Sequence, residues 1–515
     1  MKMEELLQEL EKREESARLG GGQDRIDKTH ARGKLTARER IDLLFDPGTF
    51  FEVGLLATHR CHDFGLEDKV LAGDGVVTGY GLVEGRQVFV FAQDPTVMGG
   101  SVGSAHGQKI CTIMDMAARA CAPIVGINDS AGARVQEGAE SLSAYGRIFR
   151  KNVAVSGVVP QISVIMGNCA GGAVYSPAMT DFTFMVEKTS YMFITGPKII
   201  KTVTGEVIDM ENLGGAKVHS QISGNCDFEM SDDTECIAQL RRLLSFIPSN
   251  PDLPAPPVHS ETEDGPDEAL LHIVPENRKG YFDMREIIER LVDRGDFMEV
   301  KANYARNIIC GFGRIDGKTV GVVANQPRFL AGTLDSNASD KAARFVRFCD
   351  AFNIPLVNLV DVPGYLPGIK HEYAGIIRHG AKMIYAYSEA TVPKITIIIR
   401  KAYGGAFQAM CSKELGADQV WAWPTAEVAV MGAEGAAEIV YAKEIGSADD
   451  PDAVKQTKIE EYRLKFSNPY DATERQYVDA VIDPRWTRHY LRMTLKTLSG
   501  KKETGLPRKH GNIPL

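Results

Sequence analysis

Short apolar runs alternate along this chain with longer segments that have the spacing of amphipathic helices. The runs VFVFA, IVGIND and ISVIMG lie in the first half, and PLVNLV and ITIIIR lie in the second. Short runs that are apolar throughout are typical of strands covered on both faces. Segments such as KAARFVRFCDAF predict the helices that cover them. The alternation therefore predicts an α/β fold with buried strands flanked by helices.

One stretch, residues 152–180, contains no charged residue and has the length of a membrane span. It is interrupted by Pro160, Gln161, Asn168 and the pair Gly171-Gly172. Such residues favour buried strands joined by a tight turn. We therefore predict no transmembrane segment in this chain.

The second half of the chain repeats the pattern of the first. GYGLVEGRQV begins at Gly79 and matches GFGRIDGKTV at Gly311, an offset of 232 (311 − 79). FAQDPTVMGG and ACAPIVGINDSAG have counterparts at the same offset, and the Gly-Gly-Ala at Gly171 recurs at Gly404, one position further on. Matching blocks in one order at nearly one offset indicate an internal duplication.

A segment rich in proline and acidic residues, PSNPDLPAPPVHSETEDGPDEA, separates the two copies. This composition cannot build a core and is typical of an extended linker. We therefore predict an N-terminal domain over residues 1–250, a linker over 251–269 and a C-terminal domain over 270–515.

In each copy a β-branched run leads into a glycine-rich turn and then into helix-like sequence. Residues 162–166 lead to GNCAGGA, and residues 395–399 lead to RKAYGGA. Helix starts leave backbone N–H groups unpaired, and these suit an oxygen that gains negative charge. The alternative is that the glycines only allow close packing of helix and strand. Because the pair recurs in equivalent places, we favour two oxyanion holes, one for each of two substrates.

The composition of the chain, and the motifs that it lacks, argue against several classes of function. A net charge of −9 argues against nucleic acid as a partner. Nine single cysteines without zinc spacing, and an N-terminus without a signal-peptide core, predict a cytoplasmic protein with no metal site. The chain contains no HExxH or P-loop motif. Ser130 has no evident base, so we expect it to shape a turn and cap the next helix.

The motifs, taken in order, resemble those of the biotin-dependent carboxyltransferase family over nearly the whole chain. The similar segments include HARGKLTARERI, GDGVVTG, DSAGARVQEG, GNCAGGAVYSPAMTDF, VDVPGYLPG, RKAYGGAF and RKHGNIPL. Within the family, the chain resembles propionyl-CoA carboxylase beta, methylmalonyl-CoA decarboxylase alpha and transcarboxylase large subunits. The resemblance implies two tandem crotonase-like domains of the ClpP/crotonase superfamily.

The resemblance also implies an activity, which is carboxyl transfer between carboxybiotin and a short acyl-CoA through enolate intermediates. Propionyl-CoA and methylmalonyl-CoA are the favoured substrates, and acetyl-, malonyl- and glutaconyl-CoA remain alternatives. The reaction could run as a carboxylase, a decarboxylase or a transcarboxylase. A crotonase-type hydratase, with Glu137 as its acid, is the distant enzymatic alternative, and a silent scaffold is the non-enzymatic one.

The implied cofactors are biotin, carried on a separate protein, and coenzyme A as part of the substrate. The implied partners are a biotin carboxyl carrier protein and either a biotin carboxylase or a membrane decarboxylase subunit, which would place the chain at the inner membrane face. The family also implies a homo-hexamer built as a trimer of dimers. Each site is then expected between the N-terminal domain of one chain and the C-terminal domain of a neighbour.

The resemblance assigns site residues one by one. The catalytic backbone groups are expected at Gly171 and Gly172 for the thioester, and at Gly405 and Ala406 for the urea oxygen of biotin. Other expected contacts with biotin are made by Tyr403 and Gly404. Expected contacts with the acyl-CoA are made by Ala131, Gly132, Ala133, Arg134, Ala170 and Gln408, with His30, Arg32 and Lys34 near its phosphates.

Three features of this set stay open. The basic cluster, which also includes Arg38, has the alternative role of surface charge or subunit contact. Ala131 stands where the family often has glycine. Gln408 stands where propionyl-CoA carboxylases often carry aspartate, at a position tied to the choice of acyl chain.

Overall fold

The computed structural model describes residues 2–260, 265–278 and 280–515. The chain forms two compact units, Met1–Pro254 and Ala255–Leu515, called unit 1 and unit 2 below. Residues 261–264 of the predicted linker lie outside the described residues, and the linker with its boundaries stays a prediction.

Unit 1 is built on one eight-stranded sheet. Its strands are β1 (Phe51–Glu52), β2 (Val76–Val83), β3 (Arg86–Gln93), β4 (Ile124–Ser130), β5 (Gln161–Ala170), β6 (Phe182–Val186), β7 (Tyr191–Phe193) and β8 (Phe228–Met230). Their order is β1-β2-β3-β4-β5-β6-β8, and β7 pairs with β5. The first three strands are antiparallel, and the pairs from β3 onward are parallel.

Unit 2 repeats this sheet strand for strand. Its strands are β9 (Met298–Val300), β10 (Ile308–Ile315), β11 (Lys318–Asn325), β12 (Leu356–Val362), β13 (Lys394–Tyr403), β14 (Gln419–Ala422), β15 (Glu427–Ala429) and β16 (Ala480–Val481). The order is β9-β10-β11-β12-β13-β14-β16, with β15 on β13. Gly79 pairs with Val90 as Gly311 pairs with Val322, at the offset of 232 (311 − 79). The predicted α/β duplication is confirmed.

Helices pack against both sheets. Those of unit 1 are α1 (Met3–Arg18), α2 (Gln23–His30), α3 (Ala37–Leu44), α4 (Ser104–Ala120), α5 (Ala139–Val155), α6 (Tyr175–Met179), α7 (Pro197–Thr204), α8 (Met210–Gly214), α9 (Ala216–Val218) and α10 (Asp233–Phe246). Those of unit 2 are α11 (Leu270–Ile273), α12 (Met284–Leu291), α13 (Ser336–Ala351), α14 (Ile369–Tyr373), α15 (Ile376–Glu389), α16 (Gly404–Ala409), α17 (Ala433–Val440), α18 (Ala442–Gly446), α19 (Pro451–Phe466), α20 (Pro469–Glu474) and α21 (Thr487–Thr497).

The central strands explain the apolar runs in the sequence. Every residue of β4 and of β12 is buried, so these strands cannot alternate between apolar and polar positions. The uncharged stretch 152–180 folds into the end of α5, the long strand β5 and the turn after it. Among the described residues, no helix is both long and apolar enough to cross a membrane.

Each unit also contains a buried lysine that ties a helix to the start of a strand. Lys109 of α4 donates from Nζ to the carbonyl oxygens of Gly73, at 2.9 Å, and Val76, the first residue of β2. Its counterpart at the offset of 232 (341 − 109), Lys341 of α13, donates to three carbonyl oxygens at 2.8–2.9 Å, those of Lys301, Tyr304 and Ile308. Burial lowers the pKa of both lysines to about 8.

Replacing Lys109 or Lys341 by methionine tests these contacts through their pH dependence. Because the folded-state pKa of about 8 lies below the usual 10.5, the penalty for burying the ammonium is complete below pH 8. The penalty is relieved as the pH rises from 8 to 10.5, where the unfolded chain holds more protons than the folded chain. We expect the stability of the wild type to rise in this window relative to either variant, as measured by thermal unfolding.

The matched control is Lys443→Met, since Lys443 is exposed. A stability difference between wild type and the Lys109→Met or Lys341→Met variant that stays flat across this pH window would contradict the assignment.

Candidate active site

Both sheets break their regular pairing at equivalent points. The register between β4 and β5 shifts between Asn128 and Ser130, and the register between β12 and β13 shifts between Val360 and Val362. An aspartate lies inside each break, Asp129 in unit 1 and Asp361 in unit 2, with 3% and 0% of its surface exposed. Bulges of this kind redirect the strand that follows. Here they precede the two glycine-rich turns.

The first turn follows β5 directly. Gly171 has φ 65° and opens a 3-10 turn that runs from Gly171 to Val174. The next residue, Gly172, is exposed, and a Cβ on it would lie 3.9 Å from its nearest neighbour, the ring of Tyr145. A Cβ on Gly132 would lie 3.2 Å from the carbonyl oxygen of Ala170. The turn after β4 and the turn after β5 therefore lie against each other.

The second turn has the same geometry. Gly404 has φ 57° and begins α16 at the end of β13, and a Cβ on it would lie 3.0 Å from the carbonyl oxygen of Val430. Gly405 is exposed, and no atom lies within 4 Å of the place a Cβ would take. Both turns thus place a glycine of positive φ before an exposed glycine, with open space beside the first peptide N–H groups of a helical turn.

The side chains beside the second turn are held by hydrogen bonds. The buried hydroxyl of Tyr403 donates to Glu427, whose carboxylate also pairs with Arg278 at 2.9 Å. Burial raises the pKa of Tyr403, and the neighbouring Glu427 raises it further. Gln408 is partly exposed, and its side-chain oxygen accepts from the hydroxyl of Ser412. The structure thus brings Tyr403, Gly404, Gly405, Ala406 and Gln408 into one strand–helix junction.

Arg134 occupies a buried network beneath the turn after β4. Its guanidinium donates to Asp74 at 2.5 Å, to Glu137 at 2.9 Å and to the carbonyl oxygen of Ser101 at 2.8 Å. Its side chain is 0% exposed, so any contact of Arg134 with a ligand in this conformation would come from its backbone. Burial raises the pKa of Asp74 despite this partner.

Glu137, the acid required by the hydratase alternative, belongs to the same network. One carboxylate oxygen accepts from Arg134, and the other accepts from the backbone N–H of Ser104 at 2.6 Å. Its side chain is buried. This engagement weighs against Glu137 as a general acid.

Ser130 shapes the turn as predicted. Its hydroxyl donates to the carbonyl oxygen of Gly100 at 2.7 Å and accepts from the N–H of Gly132 at 3.1 Å. The prediction that Ser130 caps the next helix is wrong, because α5 begins only at Ala139 and its N-cap residue is Gly138.

A cavity of about 290 Å³ opens beside this turn in unit 1. Basic side chains and residues at or near the ends of β3, β4 and β5 line it. Its lining comprises Arg25, Lys28, Thr29, Arg32, Lys34, Pro95, Thr96, Gly99, Asp129, Ser130, Ala131 and Asn168. Four basic residues around one concave space suit an anionic ligand.

The cavity includes only part of the basic cluster predicted from sequence. Arg32 and Lys34 line it, but His30 contacts Glu39 at 3.0 Å and Arg38 pairs with Glu52 at 2.8 Å. Two further lining residues, Arg25 and Lys28 of α2, are basic but were not predicted from the sequence. Their signal was their spacing, because Arg25, Lys28 and Arg32 recur at three- and four-residue intervals in the sequence.

Comparison with known proteins agrees with this architecture. Residues 28–513 match the carboxyl transferase domain family. The chain is 55% identical to the carboxyltransferase subunit of propionyl-CoA carboxylase from Haloferax mediterranei, with 100% of both chains covered. It is 54% identical to methylmalonyl-CoA decarboxylase subunit alpha from Propionigenium modestum, with 99% of each covered.

Among solved structures, the chain matches the crystal structure of transcarboxylase 12S, a hexamer with methylmalonyl-CoA and methylmalonic acid bound. The TM-score is 0.98 at 52% identity, and 100% of this chain and 99% of that chain are covered.

Two equivalent α/β units, each with a glycine turn after its long parallel strand, define a tandem crotonase-fold protein. Within that class, the chain belongs to the carboxyl transferase family and is a carboxyltransferase. The family and the fold class predicted from the sequence are confirmed.

The two glycines of each turn are expected to respond differently to substitution by alanine. Gly171→Ala and Gly404→Ala place a Cβ on a residue of positive φ and should destabilise the protein by about 1–2 kcal/mol. Gly172→Ala and Gly405→Ala meet no such strain and should leave the unfolding midpoint unchanged. Equal destabilisation by all four substitutions, measured by thermal unfolding, would refute the assigned geometry.

Proposed function

We propose that this chain is the subunit that transfers a carboxyl group between biotin and a short acyl-CoA, with propionyl-CoA and methylmalonyl-CoA as the substrate pair. The observation that carries the proposal is the pair of equivalent glycine turns, one in each unit, each with an exposed glycine beside open space. Two such sites suit a reaction in which a carbonyl oxygen of each of two substrates gains negative charge. The relatives named above are a propionyl-CoA carboxylase subunit and a methylmalonyl-CoA decarboxylase subunit, and the matching transcarboxylase structure has methylmalonyl-CoA bound.

Each turn stabilises one developing negative oxygen through backbone N–H groups. We assign Gly171 and Gly172 to the thioester oxygen of the acyl-CoA, and Gly405 and Ala406 to the urea oxygen of biotin, with Tyr403 and Gly404 beside them. No atom lies within 4 Å of the place that a Cβ on Gly405 would take, so a ligand can approach the backbone closely there. Biotin, when bound, supplies the nitrogen that carries the carboxyl group. The chain itself holds and orients both oxygens.

The acyl-CoA side is assigned to unit 1. The basic cavity with Arg25, Lys28, Arg32 and Lys34 suits the phosphate groups of coenzyme A. We also assign the backbone of residues 131–134 and Ala170 to the acyl-CoA, since Ala131 lines this cavity and a Cβ on Gly132 would lie 3.2 Å from the carbonyl oxygen of Ala170. We assign Gln408 to the choice of acyl chain, and the assignment of His30 to the phosphates is weaker because it contacts Glu39.

Biotin arrives on a carrier protein in this proposal, and the partner subunit sets the direction of the reaction. A biotin carboxylase partner makes the complex a carboxylase, and a membrane decarboxylase partner makes it a decarboxylase at the inner face of the membrane. We propose a homo-hexamer, as in transcarboxylase 12S. The nine free thiols suit the cytoplasm as the compartment.

The decisive experiment measures decarboxylation of methylmalonyl-CoA by the purified chain in the presence of free biotin. We expect turnover to require biotin, and we expect Gly172→Ala and Gly405→Ala to reduce kcat by about 10²–10³-fold by displacing the substrate oxygen from its donors. Gly146→Ala is the matched control, since Gly146 is exposed and a Cβ there meets nothing within 4 Å. It should keep the activity of the wild type.

Two results would contradict this function. One is the absence of biotin-dependent turnover on methylmalonyl-CoA and malonyl-CoA by a folded protein. The other is full activity of both Gly172→Ala and Gly405→Ala. Hydration of crotonyl-CoA without biotin would move the assignment to a hydratase.

The basic cavity yields a separate prediction for the acyl-CoA. Arg32→Ala should raise the KM for methylmalonyl-CoA about tenfold, which corresponds to the loss of one charge-assisted hydrogen bond. His30→Ala is the comparison variant and should change this KM less, because His30 faces Glu39 rather than the cavity. Steady-state kinetics at fixed biotin measures both. A larger effect of His30→Ala than of Arg32→Ala would place the phosphates elsewhere.

A further inference from the structure

The aspartates inside the two bulges, Asp129 and Asp361, have the same backbone environment. The N–H of Asp129 donates to the side-chain oxygen of Gln93 at 3.2 Å, and the N–H of Asp361 donates to the side-chain oxygen of Asn325 at 3.2 Å. Gln93 and Asn325 are themselves related by the offset of 232 (325 − 93). Both carboxylates are buried, so each requires a cation or several hydrogen bonds.

In unit 2 the cation comes from the strand that leads into the glycine turn. Arg400 of β13 donates through its guanidinium to Asp361 at 2.8 Å and 3.2 Å. The other carboxylate oxygen of Asp361 accepts from the backbone N–H of Lys401 at 3.0 Å. The third guanidinium nitrogen of Arg400 donates to the carbonyl oxygen of Gly280 at 2.9 Å. Asp361 thus holds both the side chain and the backbone of the segment just before Gly404.

In unit 1 the position equivalent to Arg400 is Gly167, at the offset of 233 (400 − 167) that also relates the two glycine turns. A Cβ on Gly167 would lie 1.8 Å from a carboxylate oxygen of Asp129, so a side chain at this position is excluded. The cations come instead from the N-terminal segment. Lys34 pairs with Asp129, and Arg40 contacts it at 3.3 Å.

Arg40 also connects the carboxylate to β5. It is 0% exposed, and its guanidinium donates to the carbonyl oxygen of Met166 at 2.9 Å and to Asp233 at 2.8 Å. Met166 lies on β5, shortly before Gly171 in the sequence. Arg40 in unit 1 therefore occupies the role that Arg400 has in unit 2, which is to join the bulge carboxylate to the strand that enters the turn.

We propose that Asp129 and Asp361 are positioning residues that fix the direction of the two glycine turns, and that each acts through its own arginine, Arg40 or Arg400. The inference rests on the proposed function and deepens it. Because the two arginines come from different parts of the chain, each turn is set separately. The first turn is also linked to the basic cavity, since Lys34 both lines that cavity and pairs with Asp129.

The test compares Arg40→Lys with Arg400→Lys. Lysine keeps the charge that the buried carboxylate needs but loses the planar fork that reaches two acceptors at once. We expect Arg400→Lys to raise the KM for free biotin about 10–100-fold, since small displacements of a positioned group have effects of this size. Its KM for methylmalonyl-CoA should stay unchanged. Arg40→Lys should raise the KM for methylmalonyl-CoA about 10–100-fold and leave the KM for free biotin unchanged.

A merely structural role of the two arginines would lower thermal stability and kcat but would leave both KM values as in the wild type. That result, or an equal rise of both KM values in each variant, overturns the proposal. If Arg400→Lys does not fold, the double substitution Asp361→Asn with Arg400→Gln removes both charges together. The same selective effect on biotin is then expected.

Amide hydrogen exchange provides a readout that does not depend on turnover. We expect Arg40→Lys to accelerate exchange in residues 167–174 alone, and Arg400→Lys to accelerate exchange in residues 400–409 alone. If the wild-type chain shows no biotin-dependent turnover, the proposed function fails. The exchange pattern then still tests whether Arg40 and Arg400 position the two turns. Unchanged exchange in both turns, or acceleration in both by either variant, overturns it.

Discussion

A carboxylate buried at the end of a central strand must find a cation, because an unpaired charge in a protein interior is strongly destabilising. Asp129 and Asp361 both occupy such a position, at the point where parallel pairing breaks. Each of them pairs with an arginine that contacts the following strand or belongs to it, Arg40 in unit 1 and Arg400 in unit 2. The direction of each glycine turn, and with it the direction of the peptide N–H groups, therefore depends on one buried aspartate–arginine pair per unit.

The duplication shows which parts of this arrangement are fixed by the backbone and which are free to vary. Strand order, register, bulge, buried lysine and positive-φ glycine recur in both units at almost the same offset. The residue that supplies the cation for the aspartate differs between the units. Arg400 supplies it in unit 2, but the equivalent position in unit 1 is Gly167. The N-terminal segment that supplies Lys34 and Arg40 also brings the basic cavity to unit 1. The same backbone arrangement is thus surrounded by different charged side chains in the two units.

The charged residues near the turns separate into two groups by burial. Arg134, Asp74 and Glu137 are engaged in contacts with one another and with backbone groups, so they give rigidity to the wall of the site. Arg25 and Lys28 are exposed and can meet a ligand without first breaking a buried network. The position of a residue in a motif did not show whether its charge is buried or exposed. Arg134 lies within DSAGAR and is buried, whereas Arg25 lies outside every motif and is exposed.

The amino-acid sequence was sufficient to establish the α/β class, the duplication, the family and the two glycine turns. These features are local patterns or repeats of local patterns, so they can be recognised without knowing which distant residues meet. The folded structure was needed to show which charged side chains line the cavity and which are buried in ion pairs. Lys34 and Asp129 are 95 positions apart, and Arg40 and Met166 are 126 positions apart. Burial and ion pairing arise when such distant segments pack, and no local pattern encodes them.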